Sequence, residues 1–357
     1  MIVEECAASP SAAWSTAFEE AKAITQPADE APFAIAPDGK SYFADRYTGS
    51  WSGIVRVDLT TGATEEVYAF PNAGIGVFKG AFDSRWLVWT LTAIGSGISN
   101  PYVLMAWDSE TGKVTTLSSD GDGGYDFVLP DSGLAARLGL LAWISFPRSN
   151  EVSGKTTVLD LLSASRRSLT TGGSALGFFS GRRYIFARVS GGAHPKGEWL
   201  RGSGSLSVDA VLARQWHSTR APEGASAVFH LADHQGHFLA FPESWSGLPW
   251  STTRALYFWP GRGGDVYEFS TGAAGSPGVA VADGNLIGWA SPQGGDYVAS
   301  LASGSYLLAT GQTPTTAYGL ALAHDEMLLS QTPLSSAQPV TTAFVVGGAP
   351  LPFPACP

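Results

Sequence analysis

Short apolar runs separated by tight polar turns recur along the whole chain. One unit reads strand, turn, strand: FAIAPDGKSYFAD (33–45), KGAFDSRWLVWT (79–90), GFFSGRRYIFAR (177–188), FHLADHQGHFLAF (229–241), VAVADGNLIGWA (279–290) and LALAHDEMLLS (320–330), with a looser member over 125–145. After a variable loop comes a second such unit, as in IVRVDLTTGATEEVYAF (54–70), VLMAWDSETGKVTTL (103–117), TTVLDLLSASRRSLT (156–170), LSVDAVLARQWHST (206–219), ALYFWPGRGGDVYEF (255–269) and YVASLASGSYLLAT (297–310). Apolar runs of this length bounded by Gly, Asp and Ser are strand signals, and two hairpins in succession make a four-stranded antiparallel meander. Repeat boundaries fall at 32–72, 73–119, 120–172, 173–223, 224–273, 274–314 and 315–357, after an N-terminal segment 1–31.

A meander with two apolar faces cannot bury both alone, and sheets circling a common axis solve that while leaving only short edges. The residues Pro37-Asp38-Gly39-Lys40, Val57-Asp58-Leu59 with Thr61-Gly62, and Trp107-Asp108 with Thr111-Gly112 resemble the repeats of TolB-like and WD40-like β-propellers. That resemblance implies an all-β, single-domain, seven-bladed propeller over 1–357.

The two chain ends bear on closure. The last repeat has a third strand, PVTTAFVV (339–346), and then only a Pro-rich tail. FEEAKAITQP (18–27) resembles TEEVYAFP (64–71), the fourth strand of the first repeat, so it is expected to complete the last sheet; a frayed tail or a short helix over 16–23 is the alternative. Cys6 and Cys356 are the two cysteines. They read as a disulfide tying the termini, as two free thiols, or as half of a metal site. The disulfide is favoured, since closing so long a loop removes about 4 to 5 kcal/mol of unfolded-state entropy. It also implies a secreted, periplasmic or extracellular location. The first residues, MIVEECAASPSAAW, lack a basic region followed by an apolar stretch, so an exported form is expected to have lost its signal already.

Charged residues are 15% of the 357 and the formal net charge is -10, against a phosphate-neutralising surface, so no nucleic acid partner is expected. The longest apolar run, Leu138 to Phe146, is about half of what a spanning helix needs, so no membrane insertion is expected.

In the propeller reading, the second-to-third-strand loops share one face: RYTGSWSG (46–53), TAIGSGISNP (92–101), PRSNEVSGK (147–155), VSGGAHPKGEWLRGSG (189–204) and PESWSGLPWSTT (242–253). Exposed Trp with Arg is the composition of binding hot spots. Trp51, His194, Trp199, Arg201, Trp245 and Trp250, with Glu198, are therefore candidates for one ligand-binding rim; the alternative is that these tryptophans fold back to plug the channel or cover blade edges. Asp120, Asp122 and Asp126 in SSDGDGGYDF satisfy Asp-x-Asp-Gly-x-x-Asp, similar to the calcium loops of integrin-type propellers, with a functionless acidic turn as the alternative. The cluster His230, Asp233, His234 and His237 straddles a hairpin turn, so Asp233 and Gly236 read as turn formers rather than metal ligands. His324-Asp325 reads the same way. No nucleophile elbow, phosphate loop, zinc-protease or Rossmann pattern occurs. Asp29, Glu30, Arg46, Arg148, Glu243 and Arg254, near predicted strand ends, are the candidates for a site assembled from separate repeats, or else solvated surface.

The expectation is a recognition propeller binding a peptide, glycan or partner protein on its aromatic face, with no cofactor beyond calcium as a candidate ion. The alternatives are a propeller lyase or hydrolase, and a structural component of an extracellular assembly.

Overall fold

A computed structural model describes residues 2–9, 11–14, 16, 22–25, 29–36, 38–93, 103–119, 127–128, 134–146, 154–170, 175–180, 182–189, 198–206, 208, 211–214, 218–220, 229–233, 236–242, 253–259, 266–269, 279–283, 285–290, 296–308, 315–323, 326–333, 342–346 and 353. Two strands precede the repeats, β1 (Ile2–Ala7) and β2 (Lys22–Thr25). The first sheet has β3 (Glu30–Ile35), β4 (Ser41–Tyr47), β5 (Ser52–Asp58) and β6 (Thr64–Ala69). Next come β7 (Ile75–Phe82), β8 (Trp86–Ala93), β9 (Val103–Asp108) and β10 (Lys113–Ser119). The third comprises β11 (Phe127–Val128), β12 (Ala135–Arg137), β13 (Leu140–Phe146), β14 (Lys155–Asp160) and β15 (Arg166–Thr170). It is followed by β16 (Ala175–Ser180), β17 (Arg183–Val189), β18 (Glu198–Leu206), β19 (Val211–Arg214) and β20 (Ser218–Arg220). Then come β21 (Phe229–Asp233), β22 (Gly236–Pro242), β23 (Thr253–Trp259) and β24 (Val266–Phe269). The chain continues with β25 (Val279–Asp283), β26 (Leu286–Ala290), β27 (Asp296–Ser300) and β28 (Ser305–Leu308), and with β29 (Thr315–Ala323), β30 (Glu326–Pro333) and β31 (Thr342–Val346).

Two compact units form, one of residues 33–189 and 200–217, the other of 1–32, 190–199 and 218–357. In the first, the strand period of two decides the packing, because alternate residues go to opposite faces. Leu87, Trp89 and Leu91 of β8, with Met105 and Trp107 of β9, pack on Phe43, Ile54 and Phe70 of the preceding sheet. Their neighbours in sequence, Val88, Leu104 and Ala106, point the other way, onto Leu141, Trp143 and Leu159 of the following one. Leu140, Ala142 and Val158 continue the series against Phe179, Tyr184 and Leu206. Both faces of an internal sheet are thus buried, as the apolar runs require.

The other unit holds both chain ends. β2 pairs antiparallel with β31, Lys22 opposite Val345 and Thr25 opposite Thr342, and completes the sheet β2-β31-β30-β29. That is the place expected for the 18–27 strand, though it is shorter; residues 12–14 make a helical turn ahead of it. β1 is the surprise. It pairs parallel with β24 over Ile2 to Glu5 and parallel with β28 over Cys6 and Ala7, fusing two four-stranded meanders into one nine-stranded sheet. Phe258, Phe269, Ile287, Trp289, Ala299 and Tyr306 form the core beneath. Cys356 lies outside the described residues, and no disulfide is seen among them.

Candidate functional site

The two ends of these sheets are built differently. At one end sit the first-to-second and third-to-fourth turns, which are short and consume their polar side chains. Asp58 Oδ1 accepts the amides of Thr60 at 2.9 Å and Thr61 at 2.7 Å and the Thr61 hydroxyl at 2.9 Å, closing the turn that Gly62 completes at φ 72°. Asp108 does the same one sheet on, accepting the Glu110 amide and the Thr111 hydroxyl, with Gly112 at φ 67°. A bidentate Arg85, with Nε 2.8 Å and a terminal nitrogen 2.7 Å from the carboxylate, holds Asp108 below the usual carboxylate range against the opposing pull of burial. At Asp160 desolvation raises the proton affinity, but Arg182 at 2.7 Å and the amides of Ser163 and Leu162 outweigh it, so its pKa is lowered. Asp83 goes the other way. Although it accepts the Trp86 amide at 2.9 Å and the Gly139 amide at 2.5 Å, burial keeps its pKa raised. These aspartates are turn locks, and Asp83 reaches from β7–β8 to the following sheet.

At the opposite end lie the second-to-third-strand connections. The first is tight. Thr48 accepts the Trp51 amide on Oγ1 at 3.1 Å and donates to the Trp51 carbonyl at 3.0 Å. The Trp51 ring covers Gly53, where an added Cβ would lie 2.6 Å from Cζ2. Half-buried Trp51 therefore lies back along its own sheet while keeping part of its ring at the surface. Beneath it, buried Asp45 has Oδ2 3.3 Å from the Tyr47 hydroxyl, which also donates to the Ile75 carbonyl at 3.1 Å. Burial, and then the Asp45 charge, push the Tyr47 phenol far above its ordinary range. It is a permanent donor here, not a base.

The remaining connections at this end span 94–102, 147–154, 190–197, 243–252, 291–295 and 334–341, against first-to-second turns as short as 138–139, 181–182 and 234–235 and a third-to-fourth turn as long as 260–265 at the turn end. Trp199 and Arg201 stand in β18, where the sequence reading puts a loop; Leu200 is opposite Val189 and Arg201 opposite Arg188. Pairing with β17 overrides the weak strand propensity of the Gly-Ser run there. His194, Trp245, Trp250, Arg148 and Glu243 lie outside the described residues, as do Asp120, Asp122 and Asp126, which fall between the end of β10 and the start of β11. Of the strand-end candidates, Glu30 is buried at the start of β3, Asp29 half-buried before it, and Arg46 donates to Thr64 Oγ1 at 3.4 Å. Among the histidines, Ala232 pairs with His237 and Asp233 with Gly236, the register expected of a turn; His217, His234 and His324 lie outside the described residues. Among the described residues no group of three or more His, Cys, Asp or Glu is placed to hold a metal.

Sequence reasoning missed the Asp45–Tyr47 pair and both arginine locks. Only the recurrence of an arginine in the first hairpin turn, in FDSRW and FSGRR, carries a signal for the latter.

No family model matches the sequence, and a search of curated proteins returns no match. Solved structures do match. The β-propeller domain of the Trilobed protease from Pyrococcus furiosus aligns with TM-score 0.58 at 9% identity, over 90% of this chain and 93% of that one. The fold is a β-propeller. An oligogalacturonate lyase in complex with manganese aligns at TM-score 0.57 and 13% identity, over 91% of this propeller and 93% of the lyase. A prolyl endopeptidase aligns at 0.55 and 15%, over 93% of this chain and 48% of that one.

Proposed function

We propose that this propeller is a non-catalytic recognition module holding a peptide, glycan or partner protein on the face that carries its second-to-third-strand loops. The finer architecture of this reading is seven blades and a Cys6–Cys356 bond, in an exported protein. One observation supports it: beyond the first sheet the second-to-third-strand connections are longer than the first-to-second turns, and in sequence connections of this kind carry Trp51, Trp245 and Trp250, whereas Asp58, Asp83, Asp108 and Asp160 at the turn end are spent on turns. Long loops on a rigid scaffold are where binding residues concentrate.

Intrinsic tryptophan fluorescence of the full chain, titrated with oligosaccharide and peptide panels, tests this. A ligand should be found whose affinity falls by about 2 kcal/mol, roughly thirtyfold, in W245A or W250A, with the ligand recovered intact by mass spectrometry. Cleavage of the ligand would replace recognition with the enzyme reading. Binding untouched by any of the tryptophan variants would remove the rim.

A further inference from the structure

We propose that the turn end of the third sheet is a docking site for a short acidic segment of another protein, held by Leu138 and Leu162 and steered by Arg137, Arg166 and Arg182. Among the described residues, Leu138 and Leu162 are the exposed large apolar side chains, at 64% and 67%. They stand together. A Cβ on Gly139, the residue after Leu138, would lie 3.8 Å from Leu162 Cδ1.

The preceding sheets show that neither position asks for leucine. The amides of Leu59, Ser109 and Leu161 donate to the carbonyls of Lys40, Arg85 and Gly139 at 2.8, 3.0 and 2.8 Å, which puts the three pairs of turns in register. The residue before each accepting carbonyl is left-handed: Gly39 at φ 65°, Ser84 at 86° and Leu138 at 53°. Leu138 and Gly139, itself at φ 73°, are the whole turn between β12 and β13, and two positive φ values in succession suit Asn-Gly or Gly-Gly. A leucine there is strained by its Cβ, and strain of this kind gathers at functional positions. In the companion turn, Asp58, Asp108 and Asp160 each accept the amide two residues on, from Thr60, Glu110 and Leu162. Two sheets thus place a polar side chain where the third places an exposed leucine. The Gly139 amide is fixed by Asp83 and the Leu162 amide by Asp160, so both tips are set before a partner arrives, which spares binding an ordering cost.

Charge and area choose the partner. Arg137 is opposite Leu140 and Leu140 opposite Asp160, so all three share the face on which Arg182, its side chain 56% exposed, grips Asp160 at 2.7 Å. Arg166 is exposed at the end of the Leu162 turn. Asp160 is the one carboxylate in the two turns, and it is buried. A cationic rim around two apolar tips, on a chain of net charge -10, suits apolar side chains set among Asp and Glu. Two leucines offer far less than the ~800 Å² that each partner of a stable dimer buries, and a second copy packed face to face would set arginine against arginine. An anionic lipid surface would meet Glu110, 65% exposed at the corresponding place of the preceding sheet.

Fluorescence anisotropy on the full chain tests this with short labelled peptides that carry two leucines at varied spacing among glutamates. Controls have lysine for glutamate or alanine for leucine, and light scattering and co-sedimentation with phosphatidylserine vesicles are run beside them. An acidic leucine peptide should bind, and its affinity should fall at least tenfold in the double variant L138N/L162T, whose new residues suit these turns. The urea midpoint of that variant should be unchanged or raised, because the strain at 138 is relieved. R137Q should weaken the same peptide severalfold, W245A and W250A should leave it bound, and the lysine and alanine peptides should not bind. The proposal is overturned if no acidic leucine peptide binds, if the double variant keeps the binding, or if the lysine peptides bind as well. A lowered urea midpoint overturns it too, since the leucines would then be packing residues. So does a dimer, or vesicle binding, that the double variant abolishes, because the pair would then serve a second copy or a lipid surface.

Discussion

An aspartate closing a third-to-fourth-strand turn is an inexpensive lock when it accepts turn amides and a hydroxyl, as at Asp58, and a stronger one when an arginine joins it. Asp108 is the best case, nearly buried and gripped in two places by Arg85. Asp108→Asn should cost about 2 kcal/mol at neutral pH in a urea titration, the scale of a charge-assisted hydrogen bond. The sign of its pH dependence is fixed. With its folded pKa lowered, Asp108 stabilises fully above its unfolded value near 4, and that contribution is lost as pH falls through the folded value. The variant and the parent should therefore converge in acid. Asp83, with its pKa raised by burial, works oppositely: its ionisation costs stability above the folded value, and protonation relieves that as pH falls. Gly80 tests packing rather than charge. A Cβ there would stand 2.5 Å from the Phe33 ring and 3.2 Å from the Val88 carbonyl, so Gly80→Ala should lower stability by about 1 to 3 kcal/mol, read by the same titration. The Asp-Thr-Gly turns were legible because side chain and glycine are adjacent in sequence. The Arg85–Asp108 bond, spanning 23 positions, was not.

At the scale of elements, outer strands have exposed edges, and the molecule treats them in more than one way. Arg166 of β15 reaches across to the Leu117 carbonyl of β10 at 2.8 Å while lying over the Trp143 ring. β31 is covered by β2 and the pair β24, β28 by β1. Replacing both Ala23 and Ile24 by Pro must remove a ladder amide, because alternate amides of an antiparallel strand face its partner. The double variant should melt several degrees lower by circular dichroism. β2 could be read in advance because its residues resemble another fourth strand and the last repeat lacks one. β1 could not: IVEECA has no turn and no hairpin mate, and its parallel partners lie at 266–269 and 305–306. The third repeat was blurred for a different reason. Its inner place is divided between β11 and β12, both paired with β13, so no single apolar run marks it.

For the molecule as a whole, the recurrence of apolar hairpins pointed to a propeller because sheets circling an axis hide both of their faces and the turn residues resemble those of propeller repeats. The loop face stayed obscure since loops carry no periodicity. A net charge of -10 and a pI near 5.0 place minimal mutual repulsion in mild acid, so turbidity against pH should peak near 5.

The placement of β1 and β2 also orders events during synthesis. β1 and β2 are made well before the strands they pair with, β24, β28 and β31. While the sheets between them stack one upon another as they emerge, residues 2–25 wait without a ladder to join. Folding of this protein therefore closes on strands made long before their partners.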